Sequence, residues 1–316
     1  MNFYSRWIAN KKPNYDFIRL RFIAFGITAV LIIGSVASMA IKGFNFGIDF
    51  AGGLVIEVKT TDGPADLAKM RGVLNGLGLG DVALQEFGNT HHDVMIRVQK
   101  QEGDSHAEMA ALNRIKQALG AGYDYRRVDV VGPKVGGELK RDGALAVALA
   151  VMAIAAYVWF RFEWQFGVGA LVATFHDVIT TFGLFSLFGL EFNLTTVAAI
   201  LTIAGYSIND TVVEYDRVRE NLRKYKSMSL YDLLNLSVNE TLARTILTVA
   251  TVFLSVVSLL SLGGEVLRGF SIAMLWGLVI GTYSSIYVAM PVLIYFNLRS
   301  GKEKPAEDGA VGEAAP

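Results

Sequence analysis

Six long apolar stretches constrain this chain more than any other feature of its sequence. A helix needs about 20 residues to cross a hydrocarbon layer of about 30 Å, and each stretch is close to that length or exceeds it. The predicted spans, numbered first to sixth, are residues 22–41, 143–160, 166–190, 192–213, 245–264 and 270–296. Only residues 190–192 separate the third span from the fourth, which predicts a tight helical hairpin. The fold class predicted is a polytopic α-helical membrane protein.

The composition agrees with a membrane protein and excludes several other classes. Hydrophobic residues make up 53% of the 316 residues and charged residues 18%, against about 25% charged in typical soluble domains. The 29 basic and 29 acidic residues give a formal charge of zero, which argues against a nucleic-acid partner. The chain has no cysteine, so disulfides, thiolate metal sites and cysteine nucleophiles are excluded.

Basic residues are concentrated in the short segments on one side of the predicted spans, and that side is the cytoplasmic one. They are Arg6, Lys11, Lys12, Arg19, Arg21, Arg161, Arg217, Arg219, Arg223, Lys224, Lys226, Arg244, Arg299, Lys302 and Lys304. The short loops of the opposite side contain Arg268 alone. Both termini are therefore predicted to be cytoplasmic, with residues 1–21 forming the N-terminal segment and residues 301–316 a disordered tail.

Residues 42–142 form the one long segment that this topology places outside the membrane. Their pattern predicts strands at 54–60, 81–87, 93–99 and 125–131 and helices at 64–77 and 106–119. The order βαββαβ is that of a ferredoxin-like α+β domain. The domain lacks the spacing of a metal site or of a nucleophile with its base, and His91 and His92 are interpreted as a solvated loop. The chain is therefore predicted to be no enzyme, and no cofactor is expected.

Within residues 143–300, which hold the second to sixth spans, a short amphipathic segment lies near 229–240. Ser229 is placed to cap a helix there, and Leu230, Leu233, Leu234 and Val238 share one face of it. The pattern predicts a helix lying along the cytoplasmic interface.

Asp210, near the cytoplasmic end of the fourth span, is the main candidate for function. Placing an Asp at mid-membrane costs about 2.5–3.5 kcal/mol, so a compensating role is expected. Arg244 begins the fifth span at a similar depth and is the expected partner. Polar residues at helical spacing near both groups form a predicted polar seam that should point into the bundle: Thr202, Tyr206, Asn209, Thr248, Thr251 and Ser255. A static pair between the two helices, or an Arg244 that only reaches lipid phosphates, remains an alternative.

His176 and Asp177, in the middle of the third span, are the second candidates. They could form a secondary proton relay, or a structural pair whose hydrogen bonds are satisfied within the helix bundle. Gly277, Gly281 and Ser285 in the sixth span are interpreted as close-packing contacts.

Three stretches together resemble the SecF members of the SecD/SecF family, within the resistance–nodulation–division superfamily. They are residues 204–213 (AGYSINDTVV) continued by 216–221 (DRVREN), residues 47–53 (GIDFAGG), and residues 240–245 (ETLART). The resemblance implies a subunit of the bacterial inner membrane that pairs with SecD and associates with the SecYEG translocon. It also implies use of the proton gradient to complete the translocation of preproteins, with residues 42–142 periplasmic. Asp210 and Arg244 match the family's proton-relay positions.

Two residues of the matched stretches need separate comment. Glu214 departs from the family, which usually has an apolar residue there; it is interpreted as facing cytoplasmic water, with a second carboxylate beside Asp210 as the alternative. Asp49 is expected to have a structural role as a cap or turn where the chain leaves the first span. A proton-coupled exporter of lipids or small amphiphiles and a purely structural scaffold are the competing functions.

Overall fold

The computed structural model describes residues 14–80, 82–88, 91–101, 107–296 and 298. Residues 1–13 of the predicted N-terminal segment and the predicted disordered tail at 301–316 lie outside the described residues. The helices are α1 (Arg21–Lys42), α2 (Ile48–Ala51), α3 (Leu67–Asn75), α4 (Ala107–Leu119), α5 (Pro133–Arg161), α6 (Trp164–Phe188), α7 (Leu194–Lys224), α8 (Leu230–Leu262) and α9 (Gly264–Ser284). The strands are β1 (Asn45–Phe46), β2 (Gly53–Thr60), β3 (Val82–Phe87), β4 (Asp93–Gln99), β5 (Tyr123–Val131) and β6 (Glu191–Phe192).

Six helices are long and apolar enough to cross a membrane, which confirms the predicted fold class. The first to sixth spans are α1, α5, α6, α7, α8 and α9, and a π turn at Ser285–Ala289 continues the last of them toward Tyr295. In the third, fourth and sixth spans, half or more of an 18-residue apolar stretch is buried, against 11% in the first, second and fifth. The third, fourth and sixth spans therefore form the inside of this chain's bundle, and the first, second and fifth spans lie at its periphery.

The helices of the second, fourth and fifth spans extend beyond their apolar stretches. The boundary predicted at residue 142 falls inside α5, which begins at Pro133. The separate interfacial helix predicted near 229–240 is wrong, because α8 runs without a break from Leu230 to Leu262. No Gly or Pro interrupts it, so nothing stops the helix before the apolar stretch begins. Ser229 does cap its start, since the Ser229 side chain accepts a hydrogen bond from the backbone N–H of Asp232.

Small residues allow the inner spans to approach each other closely, as predicted for the sixth span. A Cβ on Gly277 would overlap the side chain of Ile203, and one on Gly281 would lie 3.1 Å from Cβ of Ser207. Ser285 shares a hydrogen bond of 2.9 Å with the hydroxyl of Thr211. The fourth and sixth spans are thus in direct contact along their length, which brings their polar side chains together.

The outer domain is a four-stranded antiparallel sheet with two helices, and it confirms the predicted ferredoxin-like arrangement. The strand order is β3-β4-β2-β5. The domain's first strand, β2, therefore lies between its third strand, β4, and its fourth, β5. Leu54, Ile56 and Val58 of the central strand β2 are buried, together with Met70 of α3 and Ile115 of α4. Alternate residues of one sheet face thus form a core with the two helices.

The segment 43–53 ties this domain to the turn between the third and fourth spans. Strand β1 pairs in parallel with β6, and the backbone N–H of Gly47 donates to the Phe192 carbonyl over 2.9 Å. Oδ2 of Asp49 accepts from the backbone N–H of Leu194 over 2.8 Å, so Asp49 caps the start of the fourth span. The guanidinium of Arg97, on β4, forms an ion pair with Glu191. These contacts join the sheet, the end of the first span and the start of the fourth span into one junction.

Gly53 starts β2 with φ of +124°, and a Cβ there would overlap the Val98 carbonyl of β4. We expect Gly53→Ala to destabilise the chain by about 2 kcal/mol or more, since an unfavourable φ and a clash with backbone add together. Gly72→Ala is the matched control, because Gly72 lies in α3 with open space around it and should gain about 0.5–1 kcal/mol. Hydrogen exchange of the β2 and β4 amides in the full chain measures both effects, and equal protection in the two variants would contradict this account of Gly53.

Candidate functional site

The carboxylate of Asp177 lies at the centre of a buried polar cluster between the third, fourth and sixth spans. Its Oδ2 accepts hydrogen bonds from the hydroxyl of Ser207 over 2.6 Å and from that of Ser284 over 2.8 Å. Nδ1 of His176 lies 2.9 Å from its Oδ1. All four side chains are buried. One carboxylate therefore connects the three inner spans.

His176 is held by Asp177 on one side only. Its Nε2 is buried and has no hydrogen-bond partner among the residues that the structure describes. The imidazole lies beside the ring of Tyr283, with 6.0 Å between the ring centroids. The contact with Asp177 agrees with the predicted structural pair, while the open Nε2 leaves one site that could exchange a proton. The relay role of His176 and Asp177 therefore stays a prediction.

Asp210 lies one turn after Ser207 along the fourth span and is also buried, with 4% of its surface exposed. Arg244 is near enough to interact electrostatically with Asp210. Within the described part of the chain, however, no ion pair of 4.0 Å or less joins the two side chains, and Arg244 is exposed. The structure thus places the predicted partners near each other without direct contact.

Contrary to the prediction from sequence, the polar seam does not point into the bundle formed by this chain's own helices. Thr202 and Asn209 of the fourth span and Thr251 and Ser255 of the fifth are exposed in this chain, while Tyr206 and Thr248 are half-buried. The buried face of the fifth span is instead formed by side chains such as Thr245 and Val256, about 100° around the helix. A stripe of hydroxyl and amide groups therefore lies on the outside of two membrane-spanning helices. In contact with lipid these groups would gain no polar partner outside their own helix.

The hydroxyl groups of the fifth span share one hydrogen-bonding pattern. Each donates to the backbone carbonyl four residues earlier, over 3.1 Å for Thr248, 3.1 Å for Thr251, 2.9 Å for Ser255 and 3.0 Å for Ser258. Such bonds satisfy a hydroxyl hydrogen within a membrane helix without a second helix. The hydroxyl hydrogens of these four residues are thus satisfied within their own helix, while their oxygen lone pairs can still accept from a partner outside this chain.

Glu214 lies one further turn along the fourth span, and its predicted contact with cytoplasmic water is wrong. Only 1% of its surface is exposed, and its Oε2 is buried without a hydrogen-bond partner in the described residues. It is close enough to Asp210 for the two carboxyl groups to interact. The neighbouring Tyr215, also buried, donates to the Ala289 carbonyl over 3.4 Å. Packing against the sixth span encloses this turn, which the sequence alone does not reveal.

Ser207, Thr211, Ser284 and Ser285 were not predicted as site residues. Their signal in the sequence is weak, because Ser and Thr are common in membrane helices and bond to their own helix at little cost. The adjacent pair Ser284–Ser285, just after the close-packing Gly281, is the feature that could have indicated them. The π turn that starts at Ser285 precedes Pro291, which has no backbone N–H. Such turns often occur at functional sites.

The described residues contain no group of three or more His, Asp or Glu side chains placed to hold a metal ion. His91 and His92 have different neighbours: Nδ1 of His91 lies 3.2 Å from Oε2 of Glu86, and Nδ1 of His92 lies 3.1 Å from the hydroxyl of Thr60. The chemistry that the buried cluster offers is the binding and transfer of protons, carried out by carboxyl, imidazole and hydroxyl groups.

Comparison with known proteins identifies the family of this chain. Residues 111–299 match the C-terminal region of the protein export membrane proteins SecD and SecF, and residues 37–63 match the SecD/SecF GG motif. The chain belongs to the SecD/SecF family. The GG-motif match covers the junction between the first span, the outer domain and the fourth span, so the segment characteristic of the SecD/SecF family is the one that connects membrane and sheet.

Similar members of the SecD/SecF family are named protein translocase subunit SecF. The chain is 46% identical to that of Rickettsia felis, over 97% of this chain and all of the relative, and 45% identical to that of Cereibacter sphaeroides, over 95% of each. Among solved structures, the chain resembles SecDF of Thermus thermophilus, described as a translocon-associated membrane protein. The TM-score is 0.78 at 34% identity, over 90% of this chain and 38% of that one. The chain is a multi-pass membrane protein of this family, as its sequence predicted.

The hydrogen bonds of Asp177 predict how the inner bundle responds to substitution. We expect Asp177→Ala to lower the free energy of unfolding by about 3 kcal/mol or more, since Ser207, Ser284 and His176 lose a buried acceptor. Ser207→Ala should lower the free energy of unfolding by about 1 kcal/mol, as is usual for the loss of one hydrogen bond between membrane helices. The measurement is equilibrium unfolding of the full chain in micelles.

Ser255→Ala is the control for these variants, because its hydroxyl is exposed and bonds only to its own helix. It should change the free energy of unfolding by about 0.5 kcal/mol at most. An Asp177→Ala variant as stable as Ser255→Ala would show that Asp177 does not hold the inner spans together.

Proposed function

We propose that this chain is an accessory subunit of the bacterial Sec protein-export machinery, located in the inner membrane with both termini in the cytoplasm. It acts with SecD and uses the proton gradient to complete the translocation of preproteins through SecYEG. Relatives at 45–46% identity that bear the name protein translocase subunit SecF support this role. The proposal includes no chemical reaction on the substrate.

The observation that carries the proposal is the exposed polar seam beside Asp210. Thr202, Asn209, Thr251 and Ser255 would gain no polar partner from lipid, whereas a second membrane subunit or a file of water supplies one. A SecD subunit seated on this stripe would enclose Asp210 and Arg244 in the interface between the two subunits. This chain matches 38% of the Thermus SecDF chain, whose name combines SecD and SecF. The site is therefore proposed to be completed by SecD.

The mechanism follows from the gap between Asp210 and Arg244. Protons enter from outside along the seam and protonate Asp210, which removes its attraction for the guanidinium of Arg244. Loss of the proton to the cytoplasm restores that attraction and draws the fourth and fifth spans together again. Such a charge-dependent contact couples proton movement to helix position.

The junction at the outer end of the fourth span offers a path from this movement to the periplasmic domain. Asp49 caps the first residue of that span, Leu194, and Glu191 pairs with Arg97 of the sheet. A shift of the fourth span therefore acts on the sheet through two polar contacts rather than through a loose linker. We propose that residues 42–142 hold or move the emerging preprotein in this way.

A proton-coupled exporter of lipids or small amphiphiles is the second function that the sequence suggested. The names of the relatives do not favour it. The outer part of this chain is one small sheet domain whose core is filled by its own side chains.

The role of Asp210 predicts a loss of function without a loss of assembly. In membrane vesicles that contain the complex with SecD and SecYEG, Asp210→Asn should abolish gradient-stimulated export, because an amide cannot take up and release the proton. Arg244→Lys should also lose gradient-stimulated export, since an ammonium does not reproduce the planar guanidinium. Export is measured with and without a protonophore. Unimpaired stimulation by the gradient in an assembled Asp210→Asn complex would exclude this role.

The seam also predicts where SecD binds. A cysteine introduced as Ser255→Cys should form cross-links to SecD in native membranes, given suitable cysteines in SecD. Phe253→Cys is the matched control, because Phe253 is also exposed but lies on the opposite side of the same helix. Cross-linking at Phe253 in preference to Ser255 would place SecD on another surface, and a dimer of this chain through Ser255 would favour a homo-oligomer.

A further inference from the structure

The fourth span carries a line of polar side chains that continues from Asp210 toward the cytoplasm. Ser207, Asp210, Glu214, Arg217 and Asn221 follow each other at spacings of three and four residues, so they share one face of α7. The proposed function uses only the first part of this line. Glu214 lies at its middle and has no assigned role.

The environment of Glu214 is unusual for an acidic residue. Its side chain is buried, its Oε2 has no hydrogen-bond partner, and no basic side chain within the described residues lies within ion-pair distance of it. A buried carboxylate without a cation or donors is costly, so a structural role would be served better by an apolar residue. A charge on Glu214 must therefore be brief, which is a property of a group that passes protons on.

Among the described residues, the titratable groups shown to interact with Glu214 are Asp210 and Tyr215, both on its own helix. Asp210 is one turn away on the outer side, where side chains four residues apart on a helix have their Cβ atoms about 5–6 Å apart. Tyr215 is adjacent, and its hydroxyl is committed to the Ala289 carbonyl of the sixth span. The nearest acid that can accept a proton from Asp210 along this face is thus Glu214.

The cytoplasmic end of the line is formed by a second network. Glu240 of the fifth span accepts hydrogen bonds from Nε of Arg217 over 2.8 Å and from Nδ2 of Asn221 over 3.0 Å. The side chain of Glu240 is 12% exposed and that of Arg217 33%. Since the helix rises about 1.5 Å per residue, Arg217 lies only about 5 Å along the axis from Glu214. Glu214 therefore occupies the step between the membrane-embedded Asp210 and groups that reach water.

We propose that Glu214 is a second proton-carrying carboxylate, which accepts the proton from Asp210 and releases it toward Arg217 and Glu240. The O–H bond of protonated Asp210 breaks as a new O–H bond forms on Glu214, directly or through one water molecule. Asp210 is then ionised again and attracts Arg244, while Glu214 loses its proton to cytoplasmic water. One proton moves in this step, and no other group changes its bonding. This inference rests on the proposed proton coupling through Asp210 and extends it.

The test uses the assembled complex with SecD and SecYEG in inverted membrane vesicles. Glu214→Gln should assemble normally and lower gradient-stimulated export by about tenfold or more, because an amide cannot relay a proton. Glu214→Asp should restore part of the rate. Glu163→Gln is the control, since Glu163 is an exposed acid in the cytoplasmic connection between the second and third spans.

A second readout separates proton transfer from packing. Infrared difference spectra of the complex after a drop in pH should show the carbonyl band of a protonated carboxyl, and Glu214→Gln should remove part of that band while Glu163→Gln leaves it unchanged. Full gradient-stimulated export by Glu214→Gln or by Glu214→Leu would overturn the inference. If Asp210→Asn abolishes export while Glu214→Gln does not, the proposed function stands and only the role of Glu214 falls. Unimpaired export in both variants would remove the proposed function as well.

Discussion

The carboxylate of Asp177 is the interaction on which the membrane part of this structure depends. It lies in the middle of the third span and takes hydrogen bonds from hydroxyls of the fourth and sixth spans. In a membrane, apolar side chains gain little by leaving lipid for protein, so polar contacts and close packing decide which helices associate. The close approach at Gly277 and Gly281 brings Ser207 and Ser284 within reach of Asp177. Asp210 and Glu214 then follow on the same face of the fourth span.

The fourth span connects this polar interior to the domain outside the membrane. Its first residue is capped by Asp49, and the turn before it pairs with both the strand after the first span and Arg97 of the sheet. Its C-terminal end bonds to the fifth span through Asn221. One helix of about 31 residues thus has polar contacts at its outer end, its middle and its inner end. Charge changes in its middle are therefore well placed to act on both ends.

The sequence was informative where one property of the chain decides the structure. The six spans follow from length and hydropathy, and the βαββαβ order follows from periodicity and turn residues, so both predictions were correct. Spacing did not predict that the seam faces away from this chain's own helices, because spacing shows which residues share a face but not which neighbour that face contacts. The burial of Glu214 and the role of Ser207 depend on how closely the fourth and sixth spans pack. The spacing and hydropathy of residues within one stretch of sequence do not reveal such contacts between distant segments.

The hydroxyls of the fifth span impose a direction on whatever covers them. Thr248, Thr251, Ser255 and Ser258 each give their only hydrogen to a carbonyl of their own helix. These four residues present only oxygen lone pairs outward, so this row of hydroxyls can accept hydrogen bonds but not donate them. A facing helix whose hydroxyls also donate to their own backbone could form no hydrogen bonds with this row. A helix with amide or basic donors, or a file of water molecules, could donate to it. The backbone carbonyls of the fifth span thus determine, by taking these hydrogens, that a surface facing the hydroxyls must supply the donors.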